Sequence, residues 1–172
     1  ERKKRVDGHT AGARYDRLAA LAWMGVDSCH ESVLGQEVLD KLRLGFSVML
    51  RESSLRQDLR ELLKAIRESG VLTDRVMLTT DSSSPSFYED FGINERLISV
   101  ALEEGIEPVE AYRMCTLNPA CYFGMDHEIG GIAPGRFADI LILRDLYHPL
   151  PETVISKGQV VAKKTRGLTP FP

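Results

Sequence analysis

The 172-residue chain carries 22 basic and 25 acidic residues, for a net charge of -3, and 43% of its residues are hydrophobic. That supplies apolar material for a real core, in one domain or one plus a small appendage. The acidic balance argues against a nucleic-acid binder, which gathers a basic excess on one face, and no apolar run approaches the roughly 20 residues of a membrane span.

Short β-rich segments alternate with helical ones from the start to about residue 118. The first expected strand, RKKRVDGH, ends at His9 and is followed by an amphipathic helix, RYDRLAALAWMG, that lines up Leu18, Leu21 and Ala22. The second strand, GVDSCHE, carries His30 near its end, and the next helix aligns Val38, Leu39 and Leu42. FSVMLRE, ending in Arg51 and Glu52, is the third, followed by a helix with Leu55, Leu59, Leu62, Leu63 and Ile66 on one face. The fourth, RVMLTTD, ends at Asp81. Gly25, Gly45 and Gly70 each close a helical stretch, as left-handed C-terminal caps do.

After Asp81 the reading gives a loop, SSSPSFYEDFG, then a helix ending at Gly105 and one long helix, EPVEAYRMCTLNPACYFG. Met114, Cys115 and Leu117 are expected in the core of that late helix. From residue 128 the texture changes to a turn, a mostly apolar strand in GGIAPGRFADILIL, and a hairpin, ETVISKGQVVA, turning at Lys157-Gly158. GGIAPGR lacks the Lys and Ser/Thr of a phosphate loop and leads into a strand, so it is rejected as one.

His9, His30 and Arg51 fall 21 residues apart, the mark of consecutive βα units in a parallel sheet or barrel. Catalysts and ligands of such barrels sit at the C-terminal strand ends. Two imidazoles and the Asp81 carboxylate converging there suit a divalent cation such as zinc, manganese or iron. Taken singly, each residue is better explained as a hydrogen-bonded strand-end His or an Asx-turn Asp; the repetition at equivalent positions brings a site level with that explanation. Glu31 is either a second acid of that site or a solvated loop residue. His127 and His148 stand in polar loops and read as surface residues.

Three cysteines, Cys29, Cys115 and Cys121, form neither a CxxC pair nor an even disulfide set, so a cytoplasmic location is expected. The basic clusters ERKKR and KKTR read as solvated ends. The chain opens without Met, inside an apparent strand and with no signal peptide. We therefore expect a fragment whose missing N-terminal half is its necessary partner.

VDGHTAG, DSCHES, LRLGFSVMLRESS, LTTDSSSP, AYRMCTLNPACYFGM and GGIAPGRFADILIL together resemble the adenine deaminase branch of the amidohydrolase superfamily, in order and over almost the whole chain. The resemblance implies an α/β fold in which residues 1–125 are the second half of a (β/α)8 TIM barrel. Residues 126–172 would be the C-terminal part of a small composite β-sandwich module. It implies a metal centre that activates water to attack the purine C6 and release ammonia. His9 then looks like the fifth-strand metal ligand and His30 like the sixth-strand one. Asp81 looks like the eighth-strand aspartate that binds metal and shuttles a proton. Glu31 joins Asp81 as the catalytic acids, and Arg51 and Glu52 are assigned to the purine substrate. The expected cofactor is Mn2+, with Fe2+ or Zn2+ as alternatives, and the expected assembly a homo-oligomer without nucleic-acid or membrane partners. Ser82 departs from the branch, whose members tend to carry a second acid after the eighth-strand Asp. Two other readings therefore stay open: a cyclic amide hydrolase of the hydantoinase type, and a non-catalytic barrel scaffold.

Overall fold

The computed structural model describes residues 4–163. The start of the first expected strand, residues 164–166 of the second basic cluster and the end of the 126–172 module lie outside the described residues. The first half of the chain is a run of βα units: β1 (Asp7–Gly8), α1 (Tyr15–Trp23), β2 (Ser28–Cys29), α2 (Gly35–Arg43), β3 (Ser47–Arg51), α3 (Leu59–Ser69) and β4 (Val76–Thr79). The four strands form one parallel sheet in sequence order, β1-β2-β3-β4. The expected strands are present but shorter, so His9, His30 and Asp81 lie just past their strand ends rather than within them.

Val76, Met77 and Leu78 are all buried, the continuous apolar run of a parallel strand covered on both faces. α3 buries a whole apolar stripe in the same core. Leu59, Leu62, Leu63 and Ile66 recur at helical spacing and are at most 2% exposed, each contributing roughly 1.5–3 kcal/mol by leaving water. Leu55 is the exception to the expected stripe: it precedes the helix and is 92% exposed. The helix ends at Gly70, whose left-handed backbone (φ 63°) lets its N–H reach the Ile66 carbonyl. Gly35 opens α2 where the helix presses on α3; a Cβ there would stand 2.3 Å from that of Ala65.

Beyond β4, the expected loop contains a helix, α4 (Pro85–Phe91). Ser84 caps it by accepting from the Phe87 N–H, and Pro85 occupies the first turn, where its missing N–H costs nothing. α5 (Asn94–Glu103) follows as expected, with Leu97, Ile98, Val100 and Ala101 buried. The single late helix of the sequence reading is two, α6 (Pro108–Cys115) and α7 (Leu117–Phe123). Thr116 leaves helical geometry (φ -129°, ψ -77°), and Pro119 then sits in the first turn of α7 because it could not donate back across an unbroken helix. Met114 is fully buried, Cys115 and Leu117 partly so. Asn118 Nδ2 donates to the carbonyls of Thr73 (2.7 Å) and Val76 (2.8 Å), pinning α7 to the start of β4.

A second, antiparallel sheet, β5 (Ile140–Ile142), β6 (Thr153–Ser156) and β7 (Gln159–Lys163), closes the described chain. The β6–β7 turn is at Lys157-Gly158 as expected, both residues having positive φ (48° and 78°) as a tight hairpin turn requires. No helix among the described residues is long and apolar enough to cross a membrane.

Candidate metal centre

The parallel register Asp7↔Ser28 carries two residues onward to His9 and His30, and their rings meet edge to face with centroids 4.4 Å apart. Glu31 joins them. One ligand atom from each of His9, His30 and Glu31 lies within 4.8 Å of the others. The Glu31 Oε1 is 3.7 Å from His9 Nδ1 and 3.9 Å from His30 Nε2. His9 is mostly open to solvent, its side chain 73% exposed, whereas His30 is 19% exposed. Glu31 is not a solvated loop residue: its side chain is 18% exposed and lies beside both histidines.

Arg51 organises the acids behind this cluster. Its side chain is 4% exposed, and one guanidinium nitrogen donates to Glu31 Oε1 at 2.7 Å and to Asp81 Oδ2 at 2.8 Å. The other donates to Glu31 Oε2 at 3.2 Å and lies 3.8 Å from Asp58. The Arg51 hydrogen bond, aided by the charges of Arg51, His9 and His30, holds the Glu31 carboxyl below its usual range against the opposing effect of burial. Arg51 is in turn held still more firmly in its charged form, chiefly by Glu31 and then by Asp81. The guanidinium of Arg51 thus faces carboxylates and not open cleft.

Asp81 stands outside the three-residue cluster, tethered to Arg51. Its backbone and that of Ser82 are left-handed (φ 43° and 59°), a strained conformation for non-glycine residues. Reciprocal serine bonds hold the strained loop: the Ser54 N–H donates to Ser83 Oγ, and the Ser84 N–H to Ser54 Oγ. Glu52 is 1% exposed and accepts from Arg96 at 2.8 Å, while its Oε2 makes no hydrogen bond among the described residues. His127 and His148 are surface residues, His148 paired with Asp145.

Sequence reasoning did not single out Asp7, whose Oδ2 lies 2.5 Å from His30 Nδ1, nor Arg96, the partner of Glu52. The signal for Asp7 was present: in VDGH it precedes the histidine by two residues, the spacing that puts both on one face of a strand.

A profile of the amidohydrolase family matches residues 1–165. The chain belongs to the amidohydrolase family. Among curated amidohydrolases it is 46% identical over 162 residues to the protein named "Putative adenine deaminase BH0637" of Halalkalibacterium halodurans, covering 94% of this chain and 28% of that one. It is 38% identical over 170 residues to the adenine deaminase of Moorella thermoacetica, covering 98% of this chain and again 28% of the relative. The chain therefore spans somewhat over a quarter of the length of these relatives. In fold it resembles a crystal structure of an amidohydrolase at TM-score 0.66, with 15% identity over 95% of this chain and 46% of that one. A β-aspartyl dipeptidase from Fervidobacterium islandicum follows at TM-score 0.58, with 23% identity over 78% of this chain and 38% of that one.

Members of the amidohydrolase family typically use a divalent metal, and the residues present fit one. Two imidazoles and a carboxylate are a donor set for a borderline cation. His30 meets a further requirement: its Nδ1 is engaged by Asp7, leaving Nε2 toward His9 and Glu31.

Proposed function

We propose that this chain contributes His9, His30 and Asp81 to a divalent-metal centre, with Mn2+ the preferred ion and Fe2+ or Zn2+ the alternatives. In the full-length protein the reaction is hydrolytic deamination of a purine base: adenine plus water gives hypoxanthine plus ammonia. The observation that supports the reading is the meeting of His9 and His30 with a carboxylate, Glu31, within 4.8 Å; Asp81 is joined to that cluster through Arg51. Similarity to adenine deaminases over almost the whole chain supports the substrate.

His9, His30 and Asp81 would hold the cation, whose charge would make water at the site acidic enough to supply hydroxide near neutral pH. Asp81 takes a proton from the attacking water and delivers it to the departing amino group, and Glu31 shares that work from the histidine side. Arg51 serves the substrate indirectly, by hydrogen-bonding both carboxylates and fixing their positions at the rim. Glu52 is assigned to the substrate in this reading, and Arg96 holds one of its oxygens. In this reading residues 1–125 are half of a (β/α)8 barrel, residues 126–172 belong to a β-sandwich module, and the protein is a cytoplasmic homo-oligomer.

The test is the full-length protein loaded with Mn2+, assayed for ammonia and hypoxanthine from adenine. Equimolar appearance of both, lost together with bound metal in His9→Ala or His30→Ala, is the expected result. Ring-opened product from a cyclic amide and no ammonia from any 6-aminopurine would overturn it.

A further inference from the structure

An imidazole that ligates a metal through one nitrogen needs its other nitrogen held in a defined protonation state. At His30 that demand is met by groups running away from the site. Asp7 Oδ2 lies 2.5 Å from His30 Nδ1, and Asp7 Oδ1 accepts from Ser28 Oγ at 2.5 Å. Ser28 Oγ in turn lies 2.7 Å from the Tyr122 hydroxyl. The register Asp7↔Ser28 makes the first two cross-strand neighbours, and Tyr122 arrives from α7. Ser28 is fully buried and Tyr122 7% exposed, so bulk water does not compete for the bond between them, whereas the Asp7 side chain is 35% exposed.

Proton counting gives the series a direction. A serine hydroxyl has one hydrogen, and here it is donated to Asp7. The Tyr122 hydroxyl must therefore donate to Ser28 and not accept from it. Burial raises the Tyr122 phenol above its usual range, which keeps it a donor. An ionised Asp7 only accepts, so the hydrogen on the His30 side belongs to Nδ1.

We infer that Tyr122, Ser28 and Asp7 form a directed hydrogen-bond relay that fixes His30 in its Nδ1–H tautomer and leaves the Nε2 lone pair free for a cation. Tyr122 and Ser28 are positioning residues, acting through Asp7. The use of the free Nε2 rests on the metal reading above; the tautomer itself does not.

The relay makes a prediction that packing alone does not. In Asp7→Asn the Ser28 hydrogen still points at the 7 side chain, so the amide oxygen turns to Ser28 and the NH2 to His30. That arrangement selects the wrong tautomer, Nε2–H. Removing the Ser28 hydroxyl as well, in Asp7→Asn/Ser28→Ala, frees the amide to turn over and restores Nδ1–H. The experiment is 15N NMR of histidine-labelled, metal-free full-length protein, with His30 assigned by its loss in His30→Asn. Mn2+ affinity is measured in parallel by equilibrium dialysis.

Expected are Nδ1–H in the parent, Nε2–H with a ten- to hundredfold weaker affinity in Asp7→Asn, and recovery of at least threefold in the double variant. Ser28→Ala alone keeps Nδ1–H and stays within about threefold of parental affinity. Nε2–H in the parent overturns the relay even if no variant folds. So does Nδ1–H in Asp7→Asn, or a further loss in the double variant. A parent protein with the Nδ1–H tautomer that binds no Mn2+, Fe2+ or Zn2+ overturns the metal reading and leaves the relay standing.

Discussion

Replacing Arg51 with Met removes the cation that holds Glu31 and Asp81 together while keeping most of the buried stem. Breaking a fully buried ion pair by deleting one partner costs about 3–5 kcal/mol, because the other charge is left uncompensated. Here the side chains of Glu31 and Asp81 are 18% and 36% exposed, so water recovers part of that loss. We expect about 2 kcal/mol for Arg51→Met at neutral pH. The sign of its pH dependence follows from Glu31. The folded carboxyl is held below its unfolded value of 4.5, first by the Arg51 hydrogen bond. A depressed value stabilises the fold above the unfolded value, and the contribution fades as pH falls through the folded one. The variant lacks that contribution, so the gap between parent and variant is widest near neutrality and narrows below about pH 4. Urea midpoints of the full-length parent and variant at both pH values measure it. A gap that is equal at the two values, or wider in acid, would refute the reasoning.

Gly35→Ala should destabilise by about 1–3 kcal/mol although alanine is the better helix former, because its Cβ would stand 2.3 Å from Ala65 where α2 meets α3; a raised urea midpoint would contradict this. Asn118→Ala leaves the Thr73 and Val76 carbonyls without their side-chain donor and should cost about 1–3 kcal/mol, read as a lowered thermal midpoint. Burial pushes the Cys115 thiol up to about 12 from an ordinary 9.0. A raised folded value gives stability that is complete below the unfolded value and is lost as pH rises through the folded one, so Cys115→Ala should lose less stability than the parent between pH 9.0 and about 12. Thiol reagents at mildly alkaline pH should leave Cys115 unmodified until the protein unfolds.

The helices were legible because burial writes a period into them: Leu59, Leu62, Leu63 and Ile66 repeat at helical spacing and are all buried. What stayed hidden depended on single residues whose effect is local geometry. Ser84-Pro85 is a helix-start signal inside a stretch otherwise rich in turn formers, so α4 read as loop. Pro119 looked compatible with one long helix, yet its missing N–H requires the break at Thr116. At the site, strand-tip position marked His9 and His30, but the pairing partners of charged residues are long-range. Arg51 to Asp81 and Arg96 to Glu52 span 30 and 44 residues, and no local pattern encodes them.

The 21-residue spacing of His9, His30 and Arg51 suggests three residues level with one another, but the sheet register says otherwise. Asp7 pairs with Ser28, an offset of 21 that keeps the two histidines side by side. Ser28 pairs with Ser47, an offset of 19, so Arg51 lies two residues farther along its strand than the position level with His30. Arg51 pairs with Thr79, which puts Asp81 two residues farther again. Steps of two preserve the side-chain face along a strand, so Arg51 keeps the face of the position level with His30, while Asp81, past the end of β4 with a left-handed backbone, follows farther along. This staircase accounts for the partition observed. The histidines, being level, meet each other and Glu31. The Asp81 carboxylate stands beyond them, and the long guanidinium between joins it to Glu31 through a single nitrogen. A shorter residue at position 51 would leave the two acids without a common partner, which is why Arg51, and not either histidine, is the side chain on which the geometry of both proposed proton carriers depends.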